Sequence, residues 1–145
     1  MQGTMTSLDH LVLTVADIGT SVEFYTTALG MQHMVTPQGR HSLHFGMAKI
    51  NLHQQDLLFQ PHASHPVPGS ADLCFLTDTP VQTMIDQLRT CRVEIIEGPV
   101  KRSGAAGELI SIYFRDPDGN LLEVANVTPS TSSDSTSLQE KNHAA

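Results

Sequence analysis

Apolar and polar side chains alternate from Ser7 to Val15, with Leu11, Leu13 and Val15 on one side and His10, Val12 and Thr14 on the other. A strand that turns one face to a core and the other to a cavity has this pattern. The period then changes. Asp17 stands where it can cap a helix, Ile18, Val22, Tyr25 and Leu29 recur at helical spacing, and Gly30 supplies a stop, which predicts a helix over 17–29. Extended stretches follow near 31–37, 41–46 and 49–54, divided by Gly39 and Gly46. The same order then returns. A strand-like run spans Ala71 to Thr77, a helix is predicted over 80–91 with Val81, Met84, Ile85 and Leu88 as its buried stripe, and strands lie near 94–101, 109–115 and 120–127. Thr79 to Gln82 reads as a capping box with proline at the first helical position, and Asp116 to Gly119 as a tight turn.

The chain is therefore written twice as βαβββ, an α+β pattern with both helices expected on the outside of curved sheets. Module one spans 7–60 and module two 70–127, preceded by a short extension over 1–6 and joined by the loop QPHASHPVPGS. Lys101 to Gly107 reads as a solvated hairpin tip. Residues 128–145 are rich in Ser and Thr and bury too little to offset their ordering entropy, so a disordered polar tail is expected.

Composition narrows the partners. The 145 residues suffice for one ordinary domain, and the net charge of −7, without a compensating basic cluster, argues against nucleic acid or an anionic membrane. No apolar run approaches the roughly 18 residues of a membrane span, and MQGTMTSLDH lacks the basic and apolar regions of a signal peptide. A soluble, unexported, cytoplasmic protein is expected, with Cys74 and Cys91 as small buried thiols in a reducing compartment.

Superposing the two copies places His10 on Asp72, and the last strand of each copy carries further donors: Asn51 and His53 in the first, Glu123 in the second. In a strand, residues two apart share a face. With Leu122 and Val124 turned to the core, Glu123 points away from it; with Ile50 and Leu52 in the core, Asn51 and His53 point to the cavity. A carboxylate and imidazoles gathered on one concave surface are poorly solvated, and a divalent cation compensates the buried charge. His10, Glu123, Asp72 and His53 are the candidate metal ligands. Taken singly, each reads more readily as a hydrogen-bonded polar residue on a half-exposed sheet, and it is the agreement of parity across both copies that points to a metal site. His44 shares the inward parity; His33, His41, His62 and His65 read as surface or loop residues, and His143 lies in the tail.

DHLVLTV, the helix ending FYTTALGM, and YFRDPDGNLLEV resemble the vicinal oxygen chelate superfamily, which includes glyoxalase I, extradiol dioxygenases, fosfomycin-resistance enzymes and bleomycin-resistance proteins. The resemblance runs from Ser7 to Val127. It implies paired βαβββ modules forming a curved, cup-shaped mixed sheet around one divalent metal ion, usually within a homodimer. It makes His10 the first-strand ligand and Glu123 the last-strand ligand. Asp72 stands where these enzymes often have His, and Asn51 or His53 where glyoxalase I has Glu, so the third ligand is open between His53 and Asp72. Ring-cleaving members carry a Tyr ten residues before the ligand Glu, as Tyr113 stands to Glu123, with an acid/base His just upstream that SGAAGELIS lacks.

The expected function is that of a metal-dependent, glyoxalase-like lyase or isomerase acting on a small oxygenated substrate through a metal-stabilised anion. The ion would be Ni, Zn, Co, Mn or Fe. Glu123 serves as ligand and base, and Tyr113 donates a hydrogen bond to the bound anion. The alternatives are an iron(II) extradiol dioxygenase, with His10, His53 and Glu123 as its facial triad, and a sequestering protein of the bleomycin-resistance type.

Overall fold

The computed structural model describes residues 1–129. The expected tail, with His143, falls almost wholly outside the described residues. The elements are β1 (His10–Val15), α1 (Ile18–Thr27), β2 (Gln32–Val35), β3 (His41–Phe45), β4 (Ala48–Gln54), β5 (Asp72–Leu76), α2 (Val81–Thr90), β6 (Glu97–Gly104), β7 (Gly107–Arg115) and β8 (Leu121–Val127). They form two mixed four-stranded sheets, ordered β1-β4-β3-β2 and β5-β8-β7-β6. In each sheet the first strand runs parallel to the last strand of its copy, and the other pairs are antiparallel. The duplicated order thus becomes a duplicated topology.

Both sheets bury the same parity. Leu13, Val15, Leu43, Ile50 and Leu52 from the first sheet share one core with Ile112, Phe114, Leu122 and Val124 from the second, closed by Tyr25 and by the α2 stripe Val81, Met84, Ile85 and Leu88. Phe45 meets Phe75 edge-on at 5.2 Å, and Phe24 lies 6.5 Å from Phe114, so the two modules touch through their apolar faces. The polar faces of both sheets look outward from that common core.

Polar contacts lock the modules together. Tyr25 is fully buried and its hydroxyl donates to Asp116 at 2.6 Å. The Asp116 carboxylate also accepts from the Asn120 amide nitrogen, the Asn120 side chain and the Asp118 backbone, so a buried charge is satisfied entirely by hydrogen bonds. Burial, followed by the Asp116 charge, pushes the Tyr25 hydroxyl pKa far up and keeps it a donor. Asp118, in the same turn, accepts from Ala16 at the entry to α1. The DPDG run is therefore a clamp between modules as well as a turn. Tyr25→Phe is expected to cost about 2 kcal/mol, the scale of a hydrogen bond to a charged group, as a lower urea midpoint at unchanged m-value.

Two helix starts resolve differently. Asp17 caps α1 as predicted, accepting from the Thr20 amide at 2.8 Å, which holds its carboxyl below the usual range. The predicted capping box at Thr79 is not formed: Pro80 is the N-cap residue and no side chain of the box caps the helix. Asn126 of β8 does that work instead, accepting from Val81 N at 2.9 Å and donating to the carbonyls of Thr77 and Thr79. A partner brought by tertiary packing replaces the local one. Asn126→Ala should lower stability by about 1–3 kcal/mol in urea unfolding, while Thr79→Ala costs less than that.

Two further expectations are corrected. Cys74 is exposed rather than buried, because its parity places it on the outward face of β5, and Cys91 is half-buried at the end of α2. Lys101 to Gly104 belong to β6, and the tip of that hairpin is only the short turn between Gly104 and Gly107.

Candidate metal centre

The register fixes which side chains share each outward face. On the first sheet, His10 pairs with Lys49, Val12 with Asn51 and Thr14 with His53, while β3 adds Ser42 opposite Asn51 and His44 opposite Lys49. Asn51, His53 and His44 stand on the face turned away from the core, as their parity predicts. His10 is exposed at the start of β1, and its Nδ1 lies 2.9 Å from Asp9 Oδ2. That bond holds the Asp9 carboxyl below its usual range, and a proton fixed on Nδ1 leaves the Nε2 lone pair free for a ligand.

His53 stands elsewhere on this face. Thr14, its partner, is four residues from His10, about 13 Å along the strand. Its ring packs edge-on against Phe59 at 5.1 Å, and burial, with Arg40 and His62 nearby, pushes its pKa down. His33 and His41, expected as surface residues, are half-buried and lie side by side with ring nitrogens 2.8 Å apart.

On the second sheet Glu123 sits between Cys74 of β5 and Tyr113 of β7, its direct neighbours on either side. Asp72 precedes Cys74 by two residues and shares this face. Arg102 of β6, opposite Leu109, joins them; its Nε donates to the Tyr113 hydroxyl at 2.9 Å and its Nη2 to Glu97 at 2.9 Å. Burial raises the Tyr113 pKa, the Arg102 hydrogen bond pulls it back, and the Glu123 charge adds to the rise. Cys74 is exposed as a residue, yet partial desolvation of its thiol against the neighbouring strands, and then the Glu123 charge, push it up to about 11, so it stays protonated at neutral pH. Gly98 makes the approach of β6 possible: with φ at 110°, a Cβ there would collide with the Ser111 carbonyl oxygen. Cys74, Arg102, Tyr113 and Glu123 border a cavity of about 340 Å³.

The candidate ligands are thus split. Asp72 and Glu123 lie together on one outward face, and His10 and His53 lie on the other, separated from each other along the strand. Among the described residues, no three His, Cys, Asp or Glu side chains stand close enough to hold a metal ion. Sequence reasoning missed Arg102, Cys74 and Asp9 as neighbours of the site. The signal for Arg102 was its parity with Tyr113 across a hairpin, which becomes readable only once β6 is known to extend past Lys101.

Two βαβββ modules with carboxylate and imidazole donors on outward faces define a cup-forming fold class. The family model described as the Glyoxalase/Bleomycin resistance protein/Dioxygenase superfamily matches residues 7–124, and the chain belongs to that superfamily. It is similar to the virulence protein STM3117 of Salmonella typhimurium, with 53% identity over 81% of this chain and 82% of that protein. The crystal structure of STM3117 superposes with a TM-score of 0.85, covering 87% of this chain and all of that one. A glyoxalase domain-containing protein of Mycosarcoma maydis, RDO1, is 48% identical over 83% of this chain and 68% of its own length. The fosfomycin-resistance protein FosX of Listeria monocytogenes, solved with Mn(II), shares the fold at a TM-score of 0.63 and 17% identity, over 88% of this chain and 94% of that one. No helix among the described residues is long and apolar enough to cross a membrane.

Proposed function

We propose that the protein is a divalent-metal-dependent, glyoxalase-like lyase or isomerase whose site is completed between two copies of the chain. The observation that carries this reading is the division of donors: each outward face presents an incomplete ligand set, and the shared core prevents one chain from closing its own faces on each other. A twofold dimer lays the first sheet of one copy against the second sheet of the other and covers both. His10 of one copy then joins Asp72 and Glu123 of the second. The donor chemistry fits, since one imidazole and two carboxylates suit a borderline or hard divalent ion and compensate its charge. Asp72 is preferred to His53 as the third ligand because it lies on the same face as Glu123, whereas His53 is displaced along the strand from His10.

A divalent ion held there would supply Lewis-acid polarisation of substrate oxygens. The chain supplies the rest. The Glu123 carboxylate is placed to take a proton from a carbon beside a carbonyl and return it to the neighbouring carbon. The Tyr113 hydroxyl accepts from Arg102, which leaves its own proton to donate to a developing oxyanion. The stretch just upstream of Tyr113 has no histidine, so in the extradiol dioxygenase reading the acid/base imidazole has to come from another strand, such as His44 beside Lys49 on the first sheet.

The test is metal analysis of protein purified without an affinity tag, followed by assay of the metal-loaded protein for deuterium exchange next to the carbonyl of dihydroxyacetone. Stoichiometric Mn, Ni, Zn or Co with exchange supports the reading. Oxygen-sensitive iron with ring cleavage points to the dioxygenase, and metal-free protein that still binds small molecules points to sequestration.

A further inference from the structure

Another cavity lies away from His10 and Glu123. It measures about 530 Å³ and lies between the outward face of the first sheet, at Val12, Thr14 and His53, and the inter-module loop, at His62, His65 and Val67. The loop is held over the sheet by its own contacts. Phe59 packs against His53, the Arg40 guanidinium sits 4.4 Å from the Phe59 ring centroid, and His62 is fixed between Gln60 Nε2 and the Ala63 carbonyl.

The lining is unusual for this chain. In a protein of net charge −7, three imidazoles border the cavity and no Asp or Glu does. The remaining wall is largely apolar, with Val12, Pro61, Pro66 and Val67. His53 Nδ1 is sealed from solvent without a partner, so the proton of the neutral ring is better held at Nε2, which makes that nitrogen a donor. Apolar walls with a few convergent donors are the makings of a small-molecule site, and the volume falls within the range of roughly 300–1,000 Å³ that such sites have.

We propose that this loop-covered cavity is a binding site for a small organic monoanion, an apolar body ending in a carboxylate or comparable oxyanion that the imidazoles of His53 and His65 recognise. The apolar body fills the space against Val12, Pro66 and Val67, and the anionic end meets donors where no carboxylate repels it. The site is built from a single chain, so it needs neither the bound metal nor the pairing of copies proposed above.

The experiment uses the full chain after EDTA treatment, titrated with benzoate, benzyl alcohol and acetate while the histidine ring protons are followed by NMR. Benzoate is expected to shift the His53 and His65 resonances in a saturable manner. Benzyl alcohol, which keeps the body and loses the charge, should bind about tenfold more weakly, and acetate, which keeps the charge and loses the body, at least tenfold more weakly. The variant His65→Ala, at an exposed loop residue, should fold normally and bind benzoate at least tenfold more weakly. Equal binding of benzoate and benzyl alcohol would overturn the anion assignment. Absence of any shift at His53 and His65, shifts confined to histidines outside this cavity, or unchanged benzoate affinity in the variant would overturn the site. Because metal is absent throughout, these outcomes stand whether or not the metal reading survives.

Discussion

A one-to-one mixture of the His10→Ala and Glu123→Gln variants, co-refolded so that subunits assort at random, is expected to bind about a quarter of the wild-type divalent metal, although each variant alone binds almost none. Each single variant lacks one ligand at both sites of its dimer. In a mixed dimer one site carries both defects and the other carries neither, because its His10 and its Glu123 come from different chains. About half the dimers are mixed and each holds one intact site of two, which gives the quarter. A site formed within one chain predicts no recovery at all, since every chain in the mixture is defective. Full metal in both single variants would reject His10 and Glu123 as ligands outright. In the same assay Asp72→Asn should lose most of the metal and His53→Ala should keep it; the opposite result would move the third ligand to His53.

Legibility in the sequence follows the range of the interaction involved. Period and parity are local, so the two βαβββ runs, the outward direction of His10, Asn51, His53 and Glu123, and the Asp17 cap are all legible in short stretches of the chain. What a short stretch does not show is whatever depends on a residue far away. The Thr79 capping box loses to Asn126, 47 positions later, because β8 brings an amide to the start of α2. Cys74 sits in an apolar run yet is exposed, because its apolar neighbours Leu73 and Phe75 point the other way. The Tyr25 to Asp116 bond spans 91 positions and leaves no trace beyond an ordinary turn motif.

The site shows the same division. Superposing two copies of a motif indicates that His10 and Asp72 occupy equivalent strands, but equivalence does not mean proximity. The copies meet through their apolar faces, with Phe45 on Phe75, and this turns the equivalent polar positions outward to different sides of the core. Hydrophobic burial decides the matter: far more apolar area is covered by sharing one core than by closing two half-polar faces on each other. A small chain arranged this way has two polar, curved faces left to cover, which a second copy of itself can do with the same two surfaces.

Tyr113→Phe is expected to lower turnover by roughly ten- to a thousandfold while leaving bound metal unchanged. Removing the hydroxyl takes away the donor whose bond strengthens as negative charge develops on a substrate oxygen. The ring stays, and with it the packing of the Arg102 guanidinium, 5.3 Å from the ring centroid. Turnover is read as deuterium entering the carbon beside the carbonyl of dihydroxyacetone, with metal content measured on the same sample. A role for the ring alone predicts that the Phe variant matches wild type, and that result would remove Tyr113 from the chemistry. Arg102→Lys separates the hydroxyl from its support: a lysine keeps a positive charge but lacks the planar guanidinium that bonds Tyr113 and Glu97 at once. If Arg102 acts by holding the Tyr113 hydroxyl, its variant should lower kcat more than it raises KM, and the Arg102→Lys/Tyr113→Phe double variant should be no slower than Tyr113→Phe alone.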